Sequence, residues 1–225
     1  MTGYTKTREQ VPTGEKDANG NEIKVTVAKY TKEGQADVYR VEVVNPMSGT
    51  VDFDVEADSA EAVVELKKQI EALALDIPGE GATLGAEEKQ ENLKKMAKLA
   101  EIRPTKGMFE AVANTLRSNT LIDKNDPDAK ALVQKLLLTR DAEVVRALVR
   151  YSDGNINNTL FENDPVALKT LAAMFKEIRD LENQGVKLTP EQIALKDVLD
   201  DLVVNMGANI DNGNVLRFDG EGTYV

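Results

Sequence analysis

The chain has 225 residues, 41% apolar and 30% charged, enough for one large or two small globular domains with a hydrophobic core. It holds no histidine and no cysteine, which excludes disulfides, thiolate catalysis, zinc–thiolate sites and every His-dependent base or triad. The net charge of −11 is dispersed, with 7 basic and 11 acidic groups in residues 1–58, 20 and 25 in 59–207, and 1 and 3 in 208–225.

No Lys/Arg cluster stands out, so direct basic contact with nucleic acid is not expected, nor binding to an anionic membrane. Aromatics make up only 4%, with no Trp, so platforms for stacking bases are scarce. The first residues lack the charged and apolar regions of a signal peptide. No stretch has the apolar length to cross a bilayer, so cytoplasmic synthesis is the expectation.

Residues 1–21 are polar and read as an arm or loop, with a turn over Asp17–Asn21, where Asn and Gly accept positive φ. Residues 22–78 read as a small domain: a three-stranded antiparallel meander and a covering helix. Ile23, Val25 and Val27 alternate with polar residues, as do Tyr39, Val41 and Val43, and then Val51, Phe53 and Val55. Setting Val25 opposite Val41, and Val41 opposite Phe53, puts all nine on one face. The same register sets Lys24 against Glu42 and Arg40 against Asp54 on the other. Asp58 with Glu61 has capping-box spacing, and Val63, Leu66, Ile70 and Leu73 form a helical stripe suited to the apolar face of the sheet.

Residues 86–207 read as a helical domain, a bundle of about six helices. Leu93, Met96, Leu99 and Ala100 mark the first. Met108, Phe109, Val112 and Leu116 mark the second. Asp126-Pro127 opens the third, with Leu132, Leu136 and Leu137 inward, and Val144, Val145, Leu148 and Val149 mark the fourth. Asp164-Pro165 opens the fifth and Thr189-Pro190-Glu191-Gln192 opens the sixth with a Thr/Gln capping box. Residues 208–225 read as a short β-hairpin or tail. The overall class is α+β, mostly α. Two Asn-Asp-Pro-x-Ala helix starts lie 38 residues apart, at Asn125 and Asn163; reuse of a common helix start in a compact bundle is favoured over a repeat across 119–184.

Two acidic groupings are candidate ion sites. Asp52, Asp54, Glu56 and Asp58 stand two apart along a strand. One strand face spreads them too widely for a single ion, so they read as a solvated face paired with Arg40 and nearby cations. Counting from Asp153, the oxygen side chains of Asp153, Asn155, Asn157 and Asp164 fall at positions one, three, five and twelve of an EF-hand-like Ca²⁺ loop. Asn158 at position six and Phe161 at position nine depart from that pattern, and Asp164 is also wanted as a helix cap. An Asn-rich turn is the simpler reading, and no cofactor is expected beyond that Ca²⁺ candidate. Gly79-Glu80-Gly81 with Gly85 misses the dinucleotide spacing, and no phosphate-loop motif occurs.

With no catalytic constellation, these residues favour a non-enzymatic structural or assembly protein that contacts other proteins, either its own copies or other assembly subunits. Polar, Gly-rich ends that order on neighbours suit a bacteriophage virion or assembly component. An acidic binding module (inhibitor, nucleic-acid mimic or chaperone) is the first rival. An enzyme running on carboxylate, Lys or Tyr chemistry is the second.

Overall fold

In the computed structural model, residues 3–102, 106–118, 120–149 and 165–210 are described. The chain divides into two compact units: Met1–Glu80 with Lys94–Met108, and Gly81–Leu93 with Phe109–Val225. The class is α+β, with one antiparallel sheet and, among the described residues, seven helices. None of these helices is long and apolar enough to cross a membrane.

The sheet has four strands, not three. They are β1 (Thr5–Lys16), β2 (Glu22–Thr31), β3 (Val38–Val44) and β4 (Val51–Ala57), in that spatial order. The polar arm expected over 1–21 is therefore mostly strand β1. Its ladder with β2 runs from Thr5↔Thr31 to Pro12↔Lys24. Periodicity fails here because β1 lies at the sheet edge and buries only Val11. Edge position also explains how Pro12 is tolerated. Asp17 shapes the turn into β2, its carboxylate accepting from the N–H groups of Asn19 (2.8 Å) and Asn21 (2.9 Å). Gly20 beside them takes φ +82°, a conformation that favours glycine.

The inner pairings slip by two residues and keep the expected faces as far as Val43; beyond the irregularity there, Val51 pairs with Val44 and is exposed instead of joining the apolar face. Ala28 pairs with Arg40, and Val41 with Val55. A shift of two leaves every side chain on its side of the sheet, so the hydrophobic pattern could not detect it. The expected Arg40–Asp54 pair becomes an Arg40–Glu56 ion pair, and Lys24 faces Pro12 instead of Glu42. Val27, Val41, Val43 and Val55 form the buried face.

Helix α1 (Ala60–Glu71) covers that face with Val63, Val64 and Ile70. Its cap is Ser59, not Asp58. Ser59 is extended (φ −144°, ψ 160°), and its hydroxyl accepts from Ala62 N–H at 3.1 Å.

Lys67 and Glu71 of α1 do more than flank the helix. The β2–β3 ladder spans just three pairs, ending at Ala28↔Arg40. Past that point the two hairpins part. Asn45 N–H donates to the carbonyl of Thr50, the residue before β4, at 2.7 Å, so strand alternation turns the Val44 N–H and the Glu42 carbonyl toward the side that β2 has left. Glu71 Oε1 accepts from Val44 N–H at 2.8 Å, and Lys67 Nζ donates to the Glu42 carbonyl at 2.9 Å. The two side chains pair with each other at 2.6 Å. An i,i+4 ion pair thus stands in for the missing strand.

The remaining helices are α2 (Ala86–Glu101), α3 (Lys106–Ser118), α4 (Pro127–Leu137), α5 (Ala142–Val149), α6 (Pro165–Asn183) and α7 (Pro190–Ile210). In the second unit, α4 packs on α5 and α6, and α7 packs on α5 and α6. The expected inward residues are buried, among them Leu132, Leu136 and Leu137 on α4 and Val144, Val145 and Leu148 on α5. Asp126 caps α4 by accepting from Asp128 N–H at 2.8 Å, with Pro127 at the first helical position. The Thr189/Gln192 box closes at 2.9 and 3.2 Å. Residues 208–210, expected in the tail, continue α7. The expected hairpin at Val215–Val225 lies outside the described residues, as does the second Asn-Asp-Pro start.

Glu71→Ala should destabilise the chain by about 1–3 kcal/mol in urea unfolding, because it leaves a partly buried backbone N–H without its acceptor. Glu71→Gln keeps an acceptor oxygen and should lose less. Equal, negligible losses in both variants would show that the brace contributes nothing.

Candidate functional site

The Ca²⁺-loop candidates Asp153, Asn155, Asn157 and Asp164 lie outside the described residues. Among the described residues, no group of three or more acidic side chains is placed to hold a metal ion. The strand carboxylates go separate ways. Asp52 accepts from Asn45 Nδ2 (3.1 Å) and Thr50 Oγ1 (3.2 Å), and Glu56 pairs with Arg40. Asp54 faces a depression described next, and Asp58 precedes the cap of α1.

The helix-free side of the sheet holds a depression of about 300 Å³, walled by Lys6, Arg8, Tyr30, Arg40, Glu42 and Asp54 over a floor of Thr26 and Ala28. Val41, from the opposite face, also reaches it, as expected where β2 and β3 diverge. Lys6 Nζ and the Arg40 guanidinium each stand 5.3 Å from the Tyr30 ring centre, within cation–π range. Arg40 Nε is buried and has no hydrogen-bond partner. Glu42 lies directly across from Asp54 on the neighbouring strand. Like charges in that position repel. The register expected from the sequence set cations against both of these carboxylates; the observed register, shifted by two residues, sets the carboxylates against each other.

A second groove, of about 500 Å³, lies within the second unit. Met174, Ile178 and Leu195 form an apolar floor, and Arg140, Glu177 and Glu191 stand at its rim. Arg140 adopts φ +57°, the left-handed region that few non-glycine residues occupy. Its N–H donates to the Leu137 carbonyl at 3.0 Å, closing α4. The next residue, Asp141, starts α5 by accepting from Glu143 N–H (2.9 Å) and Val144 N–H (3.3 Å). The sharp link aims Arg140 across to α6, where Nη1 meets Glu177 Oε1 at 2.7 Å. That hydrogen bond to Arg140 holds the Glu177 carboxyl below its usual range, and Glu177 in turn raises the arginine. Glu191 is lowered by its own backbone N–H and then by the Thr189 hydroxyl at the start of α7.

Neither grouping was recoverable as a site from sequence. A Thr-Arg-Asp run between two helices carries no sign that its arginine turns left-handed. Only the Asp141 cap is a readable cue. Comparison with protein-family models, with curated proteins and with solved structures found no match to the chain.

The Arg140–Glu177 pair is about half exposed, so its contribution is discounted to below about 0.5 kcal/mol. Because the folded Glu177 carboxyl is lowered, that contribution is complete above the unfolded value of about 4.3 and is lost as pH falls through the folded value. Raising Arg140 removes nothing in this range. The stability gap between wild type and Glu177→Gln should therefore close on acidification, read as converging urea midpoints. A gap that stays constant into strong acid contradicts the pairing.

Proposed function

We propose that the chain is a non-enzymatic structural or assembly protein that works through protein–protein contacts, in a setting such as a bacteriophage virion or its assembly line. One observation supports this above the others. Among the described residues, α1 covers the sheet on one face, while the opposite face stays open and the adjacent carboxylates of Glu42 and Asp54 form no ion pair. A surface that keeps such a repulsion exposed suits a partner that relieves it. Edge strand β1, exposed along most of its 12 residues, adds contact area beside that face.

The same proposal takes the second unit as a helical bundle ending in a short hairpin, and takes synthesis to be cytoplasmic. An acidic binding module is a second reading, supported by Asp52, Asp54 and Glu56 along the other edge strand, β4.

Light scattering against concentration tests the proposal. The weight-average mass should rise above the 24.6 kDa of one chain as concentration increases. A mass fixed at one chain throughout would overturn it.

A further inference from the structure

We infer that the helix-free face of the sheet is a self-complementary docking surface for a second copy of this chain, the Lys6/Arg8 corner of each copy meeting the Glu42/Asp54 corner of the other. The inference deepens the contact proposal above and rests on it.

The charges on this face are sorted. β1 contributes Lys6 and Arg8, both exposed. β3 and β4 contribute Glu42 and Asp54, also exposed and directly opposite each other. Arg40 lies between these groups and is already engaged with Glu56 and Tyr30. Beside Arg40 and Tyr30 the floor is built of small side chains: Ala28, and Thr26 with its hydroxyl held by Gln10 Nε2 at 2.7 Å.

This sorting selects the partner. A nucleic acid or other polyanion is welcomed by Lys6 and Arg8 and repelled by Glu42 and Asp54. A basic peptide meets the reverse. A partner that satisfies both corners must carry both signs, segregated in the same way and turned half a revolution. A second copy meets that requirement without further design, because a two-fold axis brings each corner onto its opposite. Docking also removes the like-charge repulsion that the monomer retains, since each carboxylate pair receives a cation from across the interface.

Charge reversal in both directions supplies the test. Lys6→Glu with Arg8→Glu makes both corners acidic, and Glu42→Lys with Asp54→Lys makes both basic. Each double variant alone should self-associate about 100-fold more weakly than wild type, because like charges then face each other. Mixed in equal amounts, the two should form a heterodimer of twice the single-chain mass in sedimentation or light scattering. Recovery on mixing also shows that both variants are folded. High salt should weaken the wild-type and mixed species alike.

Wild-type association that survives both reversals would overturn this surface assignment while leaving the contact proposal standing, as pairing through the β1 edge would produce. Variants that dissociate but do not recover on mixing would also overturn it, provided circular dichroism shows each folded. A wild type that is monomeric at every concentration would overturn the assignment and the contact proposal together.

Discussion

The first unit depends on the ion pair between Lys67 and Glu71. Two hairpins, β1–β2 and β3–β4, share only three ladder pairs, and beyond these the side of the β3 backbone turned away from β4 has no ladder partner in β2. Unpaired backbone groups in a packed sheet are costly. By meeting the Glu42 carbonyl and the Val44 N–H, the two side chains let α1 settle over the divergence while Val63, Val64 and Ile70 close the apolar face. Lys68, the next residue, pairs with Glu15 of β1 at 3.3 Å, so the helix ties both hairpins at once.

That arrangement explains the uneven chemistry of the sheet's two sides. Valines and α1 complete one side. On the other, divergence of β2 and β3 leaves a hollow that Val41 reaches through the sheet, and the register strands Glu42 beside Asp54. The second unit follows a simpler logic. Three of its helices, α4, α5 and α7, begin at Asp126, Asp141 and Thr189, and each cap is a short side chain that accepts from the first free N–H groups. The tight link at Arg140 then places one charged side chain across the rim of an apolar groove.

Much of this was legible in the sequence. Strands at Val38–Val44 and Val51–Ala57, the buried stripes of α4 and α5, and the caps at Asp126 and Thr189 all follow from period and residue type. What escaped had physical causes. β1 is a strand by its ladder with β2, and because it buries only Val11, apolar alternation had nothing to register. A two-residue slip preserves the faces of the paired residues, so the turn decides it: Gly49 takes φ +72°, and Asp52 is an extra residue on β4, between the partners of Val43 and Val44. The site features escaped for the same reason. The Glu42–Asp54 adjacency exists only in the true register, and the left-handed arginine only in the folded link.

The short seam between β2 and β3 has a kinetic corollary. Each hairpin closes over a modest stretch of chain, so both can zip locally at little loop-closure cost. Uniting them requires α1, which comes later in the chain than all four strands, to dock. Native-state openings should favour the same joint, since parting it sacrifices few ladder bonds and leaves each hairpin whole. The weakest line through the unit is thus set by where two strands stop running together, not by where the core is thinnest.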